Sequence, residues 1–325
     1  MSTTGSPSTA LPYAEHDKLG PFGSHGSALH DPVELRARLV GEFVSAVHSA
    51  RDAAHAVDQG AAVAVHDCRK ALRRARAVLV MVASSLPRNE RRAVKVALQE
   101  ARRSLSTMRD HSVAPEALGQ LQLADEDRAT AKRVLDNAAE AIPPVSEIKQ
   151  LLGEAAARAA AQAEALQAAL PAKLDWTDIL DGIRRVYGEA RRARRAAKRS
   201  KASFHTWRRR SKELAFTLDF VAKHAGPRAA AIYEEIDGVT DLLGSAVDLI
   251  MLREFVATHG QGIPAAEIAH LRGSLELHLD DLMSISREES RDAFAMRPRK
   301  FARRLAKCVK RDLTPPDDVN GEPTD

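Results

Sequence analysis

Two stretches of this chain repeat one another. Residues 66–82 read HDCRKALRRARAVLVMV, and residues 205–221 read HTWRRRSKELAFTLDFV. With His66 laid on His205 the apolar seams coincide: Val65, Cys68, Leu72, Ala75, Leu79 and Val82 in the first, Phe204, Trp207, Ser211, Leu214, Leu218 and Val221 in the second. Both seams advance in alternating steps of three and four, the spacing that keeps one face of an α-helix against a neighbour. Basic residues coincide too: Arg69 with Arg208, Lys70 with Arg209, Arg73 with Lys212. A second correspondence follows downstream, where SLSTMRDHSV at 104–113 matches LLGSAVDLIM at 242–251 and Asp110 falls on Asp248. Two matching elements in one order imply an internal duplication, hence two helical halves.

The remaining chain fits an all-α fold. Aromatics are 4% of residues, so the core must rest on Ala, Leu, Val and Ile; a chain rich in Ala and Arg favours helix, because these residues lose little freedom there. Helices are predicted at 31–59, 61–86, 88–121, 125–141, 145–170, 175–201, 203–224, 227–258, 263–286 and 290–311. The breaks have causes: Gly60, Pro87, the Pro143–Pro144 pair, Pro171 before a capping Asp175, and Gly226–Pro227. Residues 1–30 and 312–325, rich in Gly, Ser and Pro, read as flexible tails around a first half at 31–171 and a second at 172–311.

Net charge is only +5, with pI about 9.3, so the placement of the basic residues carries the information. One residue of helix is about 100° of rotation. His66, Arg69, Arg73 and Arg76 therefore form a stripe one step round from the seam, as do His205, Arg208 and Lys212. Such stripes border a helix–helix interface and can line a groove; the alternative is a solvated basic face around a core. Between Arg184 and Lys212 there are thirteen Lys and Arg residues and one acid, Glu189. A surface helix gains from i,i+4 pairs of opposite sign. A stretch that forgoes them is explained if a polyanion supplies the missing charge. Beside its seam of Ile179, Ile183, Val186, Ala190, Ala193 and Ala197 run Arg184, Arg191, Arg195 and Lys198. Tyr187, on the same side, is either a hydroxyl donor to phosphate or an ordinary interface tyrosine. The last helix adds Lys300, Arg303, Arg304 and Lys307 next to Phe301, Leu305 and Cys308. Arginine suits phosphate because its planar fork gives two parallel charge-assisted hydrogen bonds.

Other classes find less support. No cluster of His, Cys or carboxylates at metal-ligand spacing surrounds His66 or His205, and neighbouring cations would repel a metal. No nucleophile or paired carboxylates accompany them. His111, His224, His259 and His278 carry no pattern. Cys68 and Cys308 read as buried thiols of a reducing compartment. No apolar run is long enough for a membrane span, no signal peptide is expected, and the cytoplasm is the default location.

At these residues the chain resembles the CHAD family, the conserved histidine α-helical domain. His66, Arg69, Arg73, Arg74 and Arg76 match its first signature helix; His205, Arg208, Arg209, Lys212 and Leu214 match its second. Its Arg-Asp element resembles Arg109 and Asp110, and its Tyr-then-Arg helix resembles Tyr187 and Arg191. The resemblance covers residues 31–311. It departs at Ala215, where Arg is usual, at Phe216, where Tyr is usual, and at Val247, in place of an Arg beside Asp248. These departures imply a weaker grip in the second half unless Arg210 and Arg303 compensate.

What the resemblance implies is an all-α pair of four-helix bundles related by a pseudo-two-fold, with a basic cavity or pore along their junction. It implies binding of inorganic polyphosphate, and association with polyphosphate granules. The Glu-x-Glu-x-Lys strand motif of fused triphosphate-tunnel enzymes is not found, which implies a stand-alone module without catalysis, cofactor or metal. The charge pattern and the resemblance together give the expected ligand residues, which are His66, Arg69, Lys70, Arg73, Arg74, Arg76 and Arg109 from the first half. From the second they are Arg184, Tyr187, Arg191, Arg195, Lys198, His205, Arg208, Arg209, Lys212, Lys300, Arg303 and Arg304. The alternative partner is nucleic acid, also a phosphate chain. It would want aromatics interleaved with the cations for base stacking, and the basic stretches hold only Tyr187, Phe204, Trp207 and Phe216. A phosphate-processing enzyme would want a carboxylate cluster for Mg²⁺ or a Gly-rich loop, and neither is found. No oligomeric state is read from the sequence.

Overall fold

The structure is a computed structural model that describes residues 31–119, 121–139, 142–197 and 201–314, with the side chains of 107, 109–113, 116 and 201 outside the description. Among these residues there are twelve α-helices and no strand. They are α1 (Pro32–His55), α2 (Ala61–Met81), α3 (Arg88–Ser104), α4 (Ser106–Gly119), α5 (Asp125–Ala139) and α6 (Val145–Ala160). Then follow α7 (Ala163–Ala169), α8 (Trp176–Ala196), α9 (Lys201–Ala225), α10 (Pro227–His259), α11 (Ala265–Glu289) and α12 (Pro298–Leu313).

Several boundaries follow from local chemistry. Asp31 accepts the Val33 N–H at 2.8 Å ahead of Pro32 in the first turn of α1. Asp175 accepts the N–H groups of Thr177 and Asp178, and Asp178 answers from its own carboxylate, a reciprocal capping box for α8. The start of α10 is capped from another helix. Gly226 has φ 133°, a region that favours glycine. The Asp312 carboxylate of α12 accepts the N–H groups of Arg228 at 2.9 Å and Ala229 at 3.2 Å.

Four predicted helices differ; the 61–86 stretch leaves the helix at Met81 and turns through 82–85. The 88–121 stretch is two helices, broken at Leu105, and 145–170 breaks between Ala160 and Ala163. The stretch 290–297 forms turns, so the last helix begins at Pro298. There the carbonyls of Ala293, Phe294, Ala295 and Met296 accept from Tyr187 and Arg191 of α8 instead of continuing a helical ladder, and Pro298 has no N–H to extend one.

Every residue of both sequence seams is buried, from Val65 to Val82 and from Phe204 to Val221. α1 packs along α2 and α6, and α3 packs on α6; α9 packs along α8 and α10, and α12 on α8 and α10. α4 and α5 reach across to α10 and α11, while α2 meets α8 and α9. One continuous apolar cluster results. The α2–α8 crossing is close: a Cβ placed on Gly182 would stand 1.9 Å from the carbonyl oxygen of Met81. That contact sets α2 against α8, and α8 packs in turn along α9.

Candidate anion-binding site

In α2 the buried seam leaves Arg69, Arg73 and Arg76 at its border; in α9 it leaves His205, Arg208 and Lys212. Because α2 packs on α9, the two borders face each other across a cavity of about 260 Å³. Arg102 at the end of α3 closes one side, and Thr206, Arg209, Glu213, Phe216 and Val247 complete the lining. Seven cationic side chains therefore share this space with a single carboxylate, Glu213. Burial, together with repulsion from Arg210 and Arg76, holds the Arg209 guanidinium below its ordinary pKa. Burial is the larger cause and the crowding of like charge the smaller, and a bound anion would offset the second.

The walls are held by different means. Arg69 is buried, and its Nη1 donates to the carbonyls of Leu105 at 2.8 Å and Arg102 at 3.1 Å. It thus satisfies backbone groups left open where α3 ends. Its counterpart Arg208 lies along unbroken α10, with Nη2 4.0 Å from the Asp248 carboxylate. Lys212 reaches Asp241 at 3.3 Å and Asp237 at 3.7 Å. Arg76 Nε lies 3.1 Å from Glu213, whose other oxygen accepts from Arg210 at 2.8 Å. The expectation that the stripes almost lack acidic partners is thus corrected for α9: three aspartates of α10 approach it from the neighbouring helix.

A second basic cleft, of about 970 Å³, lies between α8 and the start of α12. Arg184, Arg185, Arg191, Arg192 and Arg195 line one wall; Arg297, Arg299, Lys300 and Arg303 line the other, with Glu189 the single acid. The two helices are joined beneath it by Tyr187, whose ring stacks on Phe301 at 3.9 Å with planes 6° apart. Tyr187 is fully buried, its hydroxyl lies 3.1 Å and 3.2 Å from the carbonyls of Ala293 and Met296, and burial pushes its pKa up to about 12. The reading of Tyr187 as a phosphate ligand is therefore corrected: its one proton is already committed inside the core.

The expected residues thus divide. Arg69, Arg73, Arg76, His205, Arg208, Arg209 and Lys212 meet in the α2–α9 cavity; Arg184, Arg191, Arg195, Lys300 and Arg303 meet in the α8–α12 cleft. His66 is exposed and Lys70 half-buried, and neither lines the cavity or the cleft. Arg74 lines neither space either, and its charge is only a minor influence on Glu42 of α1 and Tyr233 of α10. Arg304 pairs with Glu235 at 3.2 Å. Lys198 and the Arg109 side chain lie outside the described residues. Arg303 and Arg210 do not restore the cavity's far end. The first belongs to the cleft and the second is held between Glu189 and Glu213, so Phe216 and Val247 leave an apolar wall there.

Residues missed by sequence reasoning include Arg102, Arg185, Arg192, Arg297 and Arg299. A signal existed for the last two. α12 opens with Pro298, Arg299 and Lys300 and has no acid in its first turn, against the preference of a helix N-terminus for negative charge.

Among the described residues no group of three or more His, Cys, Asp or Glu is placed to hold a metal ion, and no helix is long and apolar enough to cross a membrane. A family model described as the CHAD domain matches residues 42–257. Among solved structures, the CHAD domain from the plant Ricinus communis is similar in fold, with a TM-score of 0.56 and 18% identity, over 83% of this chain and 94% of that one. No curated protein matches the chain.

Proposed function

This chain belongs to the CHAD domain family, and from that premise we propose that it binds inorganic polyphosphate in the α2–α9 cavity. The observation that carries this reading is the meeting of Arg73, Arg76 and Arg102 with Arg208, Arg209 and Lys212 around one space that holds a single carboxylate. Guanidinium groups from two directions can follow a flexible chain of phosphates and exchange partners along it. Phe204 and Trp207 are buried in the core, so the aromatic platforms that single-stranded nucleic acid needs are not offered by them. We further propose that the chain holds the polymer without turning it over and associates with polyphosphate granules in the cytoplasm.

The test is a titration of polyphosphate against the parent and two double variants, Arg73→Gln with Arg102→Gln and Arg208→Gln with Arg209→Gln. Each removed hydrogen bond to a charged group is worth about 1.5–3 kcal/mol before desolvation, so each pair should weaken binding at least roughly tenfold. Affinity should also fall steeply with salt, because every phosphate contact releases a counterion. Flat affinity across salt, or full competition by DNA at equal phosphate concentration, would overturn the reading. So would phosphate release from the polymer that disappears in a His205→Ala variant.

A further inference from the structure

The α8–α12 cleft is separate from the α2–α9 cavity: no residue lines both. Yet the two abut. Glu189 at the edge of the cleft and Glu213 at the edge of the cavity share one guanidinium, Arg210, at 2.7 Å and 2.8 Å. An ion-paired strip thus links the rims of the two cationic spaces.

In the first half the helix preceding the signature helix, α1, also packs on a later helix, α6. Both cations of α6 are ion-paired, though by elements other than α1: Lys149 with Asp58 at 2.9 Å and Arg158 with Glu100 of α3 at 3.0 Å. In the second half Arg192, Arg195, Arg299, Lys300 and Arg303 are exposed, and none makes an ion pair among the described residues. Arg299 and Lys300 also crowd a helix N-terminus, which disfavours positive charge. Unpaired cations held together at that electrostatic cost, in a space almost four times the cavity's volume, fit an extended polyanion better than a solvated surface.

We propose that the α8–α12 cleft is a second subsite for the same phosphate polymer. A long chain crosses the Glu189–Arg210–Glu213 strip and occupies both spaces, whereas a short chain fills one, so affinity depends on chain length. This inference rests on the polyphosphate reading above. Once one segment is bound, the second event is intramolecular, and linked sites of this kind gain about 10²–10⁴ in apparent affinity without new contacts.

Calorimetric titrations of the full chain with tripolyphosphate and with long-chain polyphosphate test it. The cleft variant is Arg195→Gln with Lys300→Gln and Arg303→Gln, all exposed positions outside the cavity. The cavity variant is Arg73→Gln with Arg208→Gln. The parent should take two tripolyphosphates per chain and each variant one. Long-chain polymer should bind the parent about 10²-fold more tightly than tripolyphosphate, and either variant should lose that advantage. If the cleft variant keeps the stoichiometry and the long-chain affinity of the parent, the second subsite is wrong while the cavity reading stands. If it loses one tripolyphosphate but keeps the full long-chain advantage, no chain spans the strip and the proposal also fails. If the cavity variant behaves as the parent, the cavity reading fails instead.

Discussion

Replacing Gly182 with alanine probes the crossing of α2 and α8. In an ordinary helix interior the change is favourable by about 1 kcal/mol, because alanine has the higher helix propensity. Here the new methyl would stand 1.9 Å from the carbonyl oxygen of Met81, 2.6 Å from its carbonyl carbon and 2.8 Å from its Cα. All three are backbone atoms, so no change of rotamer relieves the contact. Real Cβ atoms essentially never approach closer than 3.0 Å, so the helices must separate by roughly 1 Å, and overpacking of this sort costs about 3 kcal/mol when backbone must shift. Subtracting the propensity gain leaves a loss of about 2 kcal/mol, or about 3 °C in melting temperature at about 2.1 cal/mol/K of unfolding entropy per residue, since a single core runs from α1 to α12. Gly153→Ala in α6 and Gly273→Ala in α11 are the controls, since nothing lies within 4 Å of a Cβ at either; both should raise the midpoint. Thermal and urea unfolding of the three variants decide the matter. A Gly182→Ala protein as stable as the controls would show that α2 and α8 do not approach as described.

Removing the Asp312 carboxylate as Asp312→Ala should cost about 1–2 kcal/mol by urea unfolding, since it leaves two N–H groups of α10 uncapped. A thiol reagent should modify Cys308 in the native protein and spare Cys68, which is buried with a thiol pushed up to about 12, chiefly by burial; peptide mapping would read the site. Asp127 of α5 accepts from His270 and Ser274 of α11 at 2.9 Å and 2.6 Å. Burial opposes its ionisation, but these hydrogen bonds prevail and lower its pKa, while the same carboxylate raises that of His270. The His270 contribution should therefore be complete below pH 6.5 and fade as pH rises through its elevated pKa, and that of Asp127 should be lost as pH falls below about 4. In an NMR titration Asp127→Asn should return the His270 midpoint toward 6.5, and an unchanged midpoint would refute the pairing.

Helix positions and the seam were legible because three-four periodicity is a property of the chain itself. Phe204 and Trp207 are buried as their spacing requires, and the bordering arginines reach the cavity. The break at Leu105 was not legible, since its carbonyls are satisfied by Arg69, 36 residues earlier. Nor were the partners of Arg208 and Lys212. Counting acids within a window finds neighbours on the same helix, whereas Asp237, Asp241 and Asp248 arrive from α10. Tyr187 sits beside Val186 on a face wide enough to bury both, and periodicity alone does not tell a bordering hydroxyl from a core ring.

The two carbonyls that hold Arg69 also settle how its charge is presented. A guanidinium clamped before any ligand arrives has already surrendered its rotamer freedom to folding. Exposed side chains such as Arg195, Lys300 and Arg303 surrender theirs only on binding, at about 0.5–1.5 kcal/mol each. An anion entering beside Arg69 therefore meets a rigid donor and little entropic resistance, while one settling between α8 and α12 must freeze several long side chains. On the proposed reading, the cavity would favour a slow off-rate and a fixed geometry, and the cleft a loose, rapidly exchanging hold on whatever length of polymer extended beyond it.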